Sequence, residues 1–431
     1  MYRKITDFLK AWKEGAHRKP LILQGARQVG KTYSILEFGR THYENVAYFN
    51  FETNPKLNKT FEENISPNYL VPILSHIAGQ TIVKEKTLIV FDEIQLCERA
   101  LTSLKYFYED APDYHIIVAG SLLGVAVNRA KFSFPVGKVD MKTLYPMDME
   151  EFLLAIGENV LVTQIKNCFK TNMPMPSALH DKALYLYRQY LVVGGMPECV
   201  SQFIQTKDYI LIRHTQDTIL ASYLNDMSKY NTLNEIKKTR LAYDNITVQL
   251  SKKNTRFQYK LIKKGGRASE FENAIEWLCL SGIVSQVYKV EQIKKPLENY
   301  RDIDAFKIYV SDLGLLCAKK DLAANDILYM VEELNDFKGG MVENYVNVQL
   351  SINGYNTYYW ESARGAEIDF VIQRDGKLIP IEVKAADNTK AKSLRVYMNT
   401  YKPAYAIKLS TKNFALEDNQ KIVPLYAAFC I

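Results

Sequence analysis

The sequence predicts an α/β fold built on a doubly wound parallel sheet, with helical and further α/β regions after it. Short apolar segments alternate with helical stretches through the first 150 residues, as in a sheet with crossover helices. The first apolar segment runs into a glycine-rich loop. Near the other end of the chain, two segments of alternating polar and apolar residues flank Asp375-Gly376, which is a strong hairpin signal.

The composition of the 431-residue chain is that of a globular protein, with 47% hydrophobic and 24% charged residues. No apolar run approaches about 18 residues, so we expect no membrane span. The N-terminal residues lack the apolar core and cleavage site of a signal peptide. Six scattered cysteines without a CxxC pair indicate reduced thiols in a cytoplasmic protein rather than disulfides or a zinc site.

The formal net charge is +7, and one segment carries a matching excess of positive charge. This basic segment, residues 251–267, contains no acidic residue, and its cations are Lys252, Lys253, Arg256, Lys260, Lys263, Lys264 and Arg267. A local basic cluster is the electrostatic footprint expected for a polyanion such as DNA. The alternative is a solvated surface or one that faces acidic residues.

The glycine-rich loop, GARQVGKT at residues 25–32, follows the apolar segment 21–23 and precedes a helical stretch. This is the GxxxxGK[ST] pattern of a P-loop in its strand–loop–helix context. Gly25 and Gly30 let backbone N–H groups turn toward phosphates, and the helix N-terminus favours their negative charge. Lys31 would reach the β- and γ-phosphates and Thr32 would hold Mg²⁺, so we expect ATP and Mg²⁺ as cofactors.

Two later apolar segments predict further strands with polar residues at their carboxyl ends. Residues 87–91 lead into Asp92-Glu93, and residues 115–119 lead into Gly120-Ser121. Asp92 would bind Mg²⁺ through water, and Glu93 would polarise the attacking water. Ser121 lies where a sensor of the γ-phosphate would be. In doubly wound sheets ligands bind at this end of the strands.

These motifs, with DEIQ at residues 92–95, resemble those of the AAA+ ATPases. More closely, the chain resembles a family of bacterial and archaeal P-loop ATPases that carry a C-terminal domain of unknown function. The resemblance spans nearly the full length and includes GGMPE at residues 194–198. It implies an ATP-driven switch, and it leaves open whether the protein forms an oligomer. Arg129, Arg188 and Arg213 are candidates for an arginine finger, or ordinary surface arginines.

The middle of the chain has apolar residues at helical spacing and predicts a helical lid. The pair Gly194-Gly195 before Met-Pro indicates a tight turn, where the backbone approaches nucleotide or where a helix ends. Helical stretches then precede residues 281–290, which alternate like a strand pair. Helices before a hairpin, with the basic segment ahead of it, predict a winged helix that contacts DNA or serves as an internal docking platform.

A two-residue hairpin loop at Asp375-Gly376 fixes the register of the flanking strands. Asp369 then faces Glu382, and Glu367 faces Lys384. A one-residue slip would expose the core face, which consists of Ile368, Phe370, Ile372, Ile379, Ile381 and Val383.

The two facing carboxylates, about 5 Å apart at Cβ, repel each other unless something bridges them. A divalent metal such as Mg²⁺ or Mn²⁺ is the simple bridge, and Lys384 could stabilise charge developing on a phosphodiester. Asp369 followed by Glu382-Val-Lys384 resembles the PD-(D/E)xK nuclease superfamily, and Glu343 resembles the acidic residue on that fold's first helix. The resemblance implies Mg²⁺ binding by Glu343, Asp369 and Glu382.

Two other interpretations of this hairpin stay open. The fold can be that of a nuclease without its activity. Alternatively, the hairpin face is an exposed surface on which Glu367 and Glu382 pair with Lys384.

The predicted domains are a P-loop ATPase core (1–150), a helical lid (151–238), a winged helix (239–298) and a PD-(D/E)xK nuclease-like α/β domain (299–431). The leading hypothesis is an ATP-hydrolysing enzyme that acts on DNA, with nuclease activity left open. The alternative is a nucleotide-switched binding or scaffold protein with an inactive nuclease fold.

Overall fold

The structure, a computed structural model, describes residues 1–120, 134–229, 232–252, 256–385 and 392–431. The chain forms two compact units. The N-terminal unit comprises residues 2–145 and 280–282, and the C-terminal unit comprises residue 1 and residues 146–279 and 283–431. All six cysteines are free thiols. Among the helices described, none combines the length and apolarity that crossing a bilayer requires.

The N-terminal unit alternates strands with helices. In chain order its elements are α1 (Ile5–Glu14), β1 (Leu21–Gln24), α2 (Lys31–His42), β2 (Asn45–Asn50), α3 (Lys56–Glu63), α4 (Pro67–Ala78), β3 (Thr87–Asp92), α5 (Glu98–Asp110), β4 (His115–Ala119) and β5 (Asp140–Thr143).

These five strands form one sheet in the order β2-β3-β4-β1-β5, and every pair is parallel. Strand β3 is buried along its whole length, as expected for a sheet that is covered on both faces. The rings of Phe51 and Phe61 pack against Phe91 at centroid distances of 5.9 and 5.6 Å. The predicted parallel α/β sheet is confirmed, and its strands bring the P-loop and Asp92 to the same edge.

The C-terminal unit begins with helices and ends with a sheet. Its helices are α6 (Met149–Ala155), α7 (Asn159–Thr171), α8 (Ser177–Val193), α9 (Pro197–Thr206), α10 (Tyr209–Lys229), α11 (Leu233–Leu250), α12 (Tyr259–Ile262), α13 (Ala268–Leu280), α14 (Leu313–Lys319), α15 (Ala324–Tyr329), α16 (Asn335–Ile352) and α17 (Lys392–Tyr401). Its strands are β6 (Val284–Val290), β7 (Arg301–Val310), β8 (Tyr358–Glu361), β9 (Glu367–Arg374), β10 (Lys377–Val383), β11 (Ala406–Ser410), β12 (Ala415–Glu417) and β13 (Gln420–Pro424).

The eight strands form one mixed sheet in the order β12-β13-β11-β10-β9-β8-β6-β7. Residues 281–290 contribute the single strand β6, so the expectation of a strand pair there was wrong. The partner strand is β7, reached through a loop, and β6 also pairs in parallel with β8. Strand β7 pairs with β6 along its whole length, whereas β8 pairs only with residues 288–290. The boundary predicted at residues 298/299 therefore falls between two paired strands, and an independent winged helix remains a prediction.

The hairpin β9–β10 has the register that its two-residue loop predicts. Pairs run from Lys377 with Arg374 to Ile381 with Phe370. Beyond Phe370 a side chain replaces the backbone as hydrogen-bond partner. The Asp369 carboxylate accepts the N–H of Val383 at 2.6 Å. All six residues predicted for the core face are buried.

The Gly194-Gly195 pair ends a helix within its own unit. Helix α8 stops at Val193, and a Cβ on Gly195 would lie 2.0 Å from the carbonyl oxygen of Met147. The buried Asp312 carboxylate accepts the N–H of Gly195 at 2.6 Å and that of Leu315 at 2.8 Å. Of the two interpretations of this turn, the helix end is the one that the structure supports.

Candidate functional site

The P-loop joins β1 to α2 with an unusual backbone. Gly25 has φ 144°, and a Cβ there would lie 2.1 Å from the carbonyl oxygen of Leu144. Gln28 and Gly30 also have positive φ values, 64° and 89°. Such turns make concave backbone nests that suit anions, and Gly30 directly precedes the first turn of α2. The loop therefore has the shape of a phosphate cradle.

Two basic side chains fix the loop from opposite ends. The Lys31 ammonium donates to the carbonyl oxygens of Gly25 and Ala26 at 2.9 and 2.7 Å. The buried Arg3 guanidinium donates to the carbonyl oxygen of Val29 at 2.9 Å. It also donates to that of Tyr145 at 2.8 Å. Lys31 is thus positioned inside the cradle, and Arg3 holds the loop against the segment after β5.

A carboxylate and two hydroxyls meet at the carboxyl ends of the strands. The Thr32 hydroxyl donates to Asp92 Oδ2 at 2.8 Å, and the Tyr48 hydroxyl donates to the same oxygen at 2.8 Å. Partial burial, with the hydrogen bond to Asp92 adding to it, raises the pKa of Tyr48 to about 12. Oxygen ligands of this kind suit Mg²⁺, so Thr32 and Asp92 could hold one together.

Glu93 follows Asp92 in a strained conformation. Its φ is 52°, which is left-handed backbone, and its N–H donates to Asp92 Oδ1 at 3.0 Å. The amide of Gln95 donates to the Glu93 carboxylate. Strain of this kind costs about 1–3 kcal/mol and is common at functional sites. The conformation directs consecutive carboxylates of Asp92 and Glu93 to different partners.

Other residues singled out in the sequence lie outside the described residues or make their contacts within the C-terminal unit. Ser121, Lys253 and Arg129 lie outside the described residues. Arg213 pairs with Asp321 at 3.2 Å, and Arg188 donates to the carbonyl oxygen of Leu328 at 3.4 Å. Both contacts lie within the C-terminal unit.

The C-terminal unit gathers four carboxylates from α16, β9 and β10. This acidic cluster consists of Glu343, Glu367, Asp369 and Glu382. Burial raises the pKa of Asp369 well above its ordinary value, and the nearby carboxylates of Glu343 and Glu382 raise it further. The three carboxylates predicted to bind a metal are therefore near one another.

Two lysines offset the acidic cluster. Lys384 Nζ lies 2.5 Å from Glu382 Oε1. The buried Lys307 on β7 lies 2.5 Å from Glu367 Oε1 and 3.3 Å from Glu343 Oε2. Of the two ion pairs expected from sequence, Glu382 with Lys384 forms, whereas Glu367 pairs with Lys307. Burial would lower the pKa of Lys307, but Glu343, Tyr309 and Glu367 raise it well above the ordinary value, so it stays charged.

The charges around the acidic cluster leave room for a further cation. Four carboxyl groups face two ammonium groups, so protonation, which the raised pKa of Asp369 favours, or a further cation must offset the excess negative charge. Glu382 Oε2 is buried and has no hydrogen-bond partner among the described residues, and burial raises the pKa of Glu382. This donor set fits a divalent cation. In the described ranges, however, no three His, Cys, Asp or Glu side chains are arranged as a formed metal site.

Two residues of the basic segment pair with β7. Phe257 N–H donates to the carbonyl oxygen of Phe306 at 2.8 Å, and Arg256 forms an isolated antiparallel bridge with Lys307. Lys263 pairs with Glu270 at 3.1 Å. Among its described residues the exposed cations are Lys252, Lys260, Lys263, Lys264 and Arg267. In the sequence they flank the two residues that pair with β7, Arg256 and Phe257.

Sequence reasoning missed Arg3, Tyr48 and Lys307. Tyr48 lies two residues before the carboxyl end of β2, which neighbours β3, so a parallel sheet could have suggested it. Arg3 and Lys307 act on residues far along the chain and leave no local pattern.

Comparison with protein families divides the chain into three. Residues 17–153 match an AAA domain. Residues 184–326 match a domain of unknown function (DUF8612), and residues 338–428 match another (DUF4143). No curated protein sequence matches the chain.

Several solved structures resemble the chain weakly. A Walker-type ATPase of Pyrococcus abyssi has 14% identity and a TM-score of 0.45, over 74% of this chain and 95% of that one. The ORC2 protein of Aeropyrum pernix, in ADPNP–ADP complexes, has 11% identity and a TM-score of 0.34, over 78% and 93%. The ORC1 protein of Aeropyrum pernix, in complex with DNA, has 12% identity and a TM-score of 0.27, over 74% and 91%. At such scores, the assignment of residues 17–153 rests on the family match and the loop geometry.

Proposed function

Because the N-terminal unit holds an AAA-type P-loop ATPase domain, we propose that the protein uses ATP hydrolysis to control an action on DNA by its C-terminal unit. The observation that carries the ATPase part is the meeting of Thr32, Asp92 and Tyr48 beside the phosphate cradle. The observation that supports the DNA part is the exposure of five cations in the basic segment, which contains no acidic residue.

Each residue of the nucleotide site has a proposed task. Gly25 and Gly30 shape the cradle, and Lys31 binds the β- and γ-phosphates. Thr32 and Asp92 hold Mg²⁺, Glu93 orients the attacking water, and Ser121 senses the γ-phosphate. When bound, Mg²⁺ neutralises charge on the phosphates. Lys31 would leave the carbonyl oxygens of its own loop to contact phosphate, which exchanges two neutral acceptors for charged ones.

DNA would bind along the basic segment through its phosphates. Five of the cations are exposed, and phosphate contacts position a protein without reading sequence. Removing two of them, by Lys260→Gln and Lys264→Gln, should weaken binding and lower the slope of log K against log salt by roughly 2. Equal salt slopes in this variant and the wild type would argue against the surface.

The acidic cluster is the proposed site of phosphodiester cleavage. Glu343, Asp369 and Glu382 would bind Mg²⁺, with the buried Glu382 Oε2 as one ligand atom. Lys384 would stabilise negative charge that develops on the phosphate. Lys307 would hold the side chains of Glu343 and Glu367 in place through its ion pairs with both.

A nucleotide-switched binding protein is the second candidate function. The observation that favours it is Lys307, whose ammonium pairs with both Glu343 and Glu367 and offsets one of their negative charges. In that case the C-terminal unit would retain DNA or another partner without cleaving it.

One experiment separates the two candidates. ATP turnover is measured with and without DNA, while the DNA is followed on a gel with Mg²⁺ or Mn²⁺. Cleavage that disappears in Asp369→Asn but persists in Asp375→Asn, at the exposed hairpin turn, supports the nuclease. Intact DNA with DNA-stimulated turnover supports the binding protein. The action on DNA would be refuted if DNA leaves the rate of ATP turnover unchanged and is neither cleaved nor bound.

A further inference from the structure

A pocket of about 380 Å³ lies within the C-terminal unit, apart from the residues assigned above. Helix α8 forms one wall and α16 another. Its volume lies in the range of small-molecule sites. The lining residues that matter here are His180, Asp181, Tyr187, Arg188, Lys338 and Thr411.

The position of the pocket in the sheet is that of a ligand site. Strands β10, β11 and β13 are parallel to one another. Ala385, Thr411 and Leu425, which follow their carboxyl ends, all line the pocket. In open α/β sheets ligands bind outside the carboxyl ends of parallel strands. The C-terminal unit therefore repeats, on a second sheet, the placement of the P-loop site.

The lining combines two cations with an acidic residue. Arg188 and Lys338 supply two positive charges. Arg188 makes a hydrogen bond of 3.4 Å to the carbonyl oxygen of Leu328, and a guanidinium has five N–H donors, so donors are left for a ligand.

The remaining polar groups further restrict the class of ligand that the pocket accepts. Asp181 at the pocket's edge is exposed and acidic, so it accepts hydrogen bonds and repels a second anionic group. His180 is engaged with the Tyr426 hydroxyl at 2.8 Å. The pocket therefore offers donors and positive charge at one part and an acceptor at another.

We propose that this pocket binds a sugar phosphate monoester, with Arg188 and Lys338 on the phosphate and Asp181 on a sugar hydroxyl. A free nucleoside monophosphate and the 5′-phosphorylated end of a nucleic acid share this chemistry. The proposal is independent of ATP hydrolysis and of nuclease activity.

The test uses the full chain with Lys31→Ala, so that the P-loop does not contribute. Calorimetry measures binding of AMP, adenosine and a ten-nucleotide DNA with a 5′-phosphate or a 5′-hydroxyl. We expect AMP or the phosphorylated DNA to bind better than its unphosphorylated counterpart. Adding Arg188→Met should weaken that binding at least about tenfold, as for loss of a hydrogen bond to a charged group.

Two further variants guard against a folding effect. Lys338→Met removes the second cation of the lining and should weaken binding several-fold. Lys182→Met removes a cation from the same helix outside the pocket and should leave binding unchanged. A preference for AMP alone identifies a free ligand, and a preference for the 5′-phosphorylated DNA identifies a strand end. If neither phosphorylated probe is preferred, or if Arg188→Met binds like Lys182→Met, the proposal is wrong.

Discussion

The Thr32 hydroxyl donates to the Asp92 carboxylate at 2.8 Å, although 60 positions separate the two residues in the chain. The bond ties the first turn of α2 to the carboxyl end of β3. It joins the phosphate cradle to the acidic strand end through side chains that are both suited to a hard cation. Changes at this junction should therefore affect nucleotide chemistry before they affect folding.

Lys31→Ala and Glu93→Gln should separate binding from turnover. Lys31→Ala removes the cation inside the cradle and should abolish tight ATP binding. Glu93→Gln keeps the shape of the side chain but not its charge, so binding should persist while turnover falls roughly 10²–10⁴-fold. Fluorescent-nucleotide titration and steady-state turnover measure the two effects. Normal hydrolysis by either variant would contradict the assigned roles.

Tyr48→Phe should raise the Mg²⁺ concentration needed for half-maximal turnover, by up to roughly tenfold. The variant removes the hydrogen bond that helps to orient Asp92. Such a bond to a charged group contributes about 1.5–3 kcal/mol, and the partial exposure of Tyr48 favours the low end. Tyr33→Phe, an exposed hydroxyl beside Thr32, is the matched control. Identical Mg²⁺ titrations for both variants would count against a role for Tyr48.

Two adjacent glycines of α16 should respond in opposite ways to alanine. A Cβ on Gly340 would lie 2.1 Å from the carbonyl oxygen of Leu250, whereas one on Gly339 would meet open space. We expect Gly340→Ala to lower the free energy of unfolding by about 1–3 kcal/mol through overpacking. Gly339→Ala should raise it by up to about 1 kcal/mol, because alanine favours helix. Urea unfolding measures both, and a destabilised Gly339→Ala would contradict the described packing.

Asp312 should make the C-terminal unit more stable at mildly acidic pH than at neutral pH. Burial raises the pKa of Asp312 to about 6, against an opposing effect of backbone hydrogen bonds from Leu315 and Gly195. The native state then holds a proton that the unfolded state releases. The contribution to stability is therefore complete below about pH 4 and is lost as the pH rises through 6.

Relative to Asp312→Asn, the wild type should gain up to roughly 3 kcal/mol in unfolding free energy between pH 7 and pH 4. Urea unfolding of both proteins at four pH values gives the difference curve. A flat difference would show that Asp312 has an ordinary pKa.

Local chemistry explains what the sequence could predict. The P-loop and the register of β9–β10 each follow from a few consecutive residues, and the register is confirmed from Phe370 to Ile381. The pairing of Glu367 with Lys307 could not be predicted in this way, because it depends on how β7, β6, β8 and β9 are ordered in the sheet. That order is set by long-range pairing, and the hydrophobic alternation of each strand is compatible with many neighbours.

The order of the strands also affects how the chain can fold as it leaves the ribosome. All five strands of the parallel sheet have emerged by Thr143, so that sheet can assemble early in synthesis. By contrast, Val290 at the end of β6 can pair with Trp360 of β8 only after that later residue has been synthesised. Until then the edge of β6 that faces β8 is unpaired, and it could recruit other chains. The interval between these two residues is where newly made protein should be most prone to aggregate.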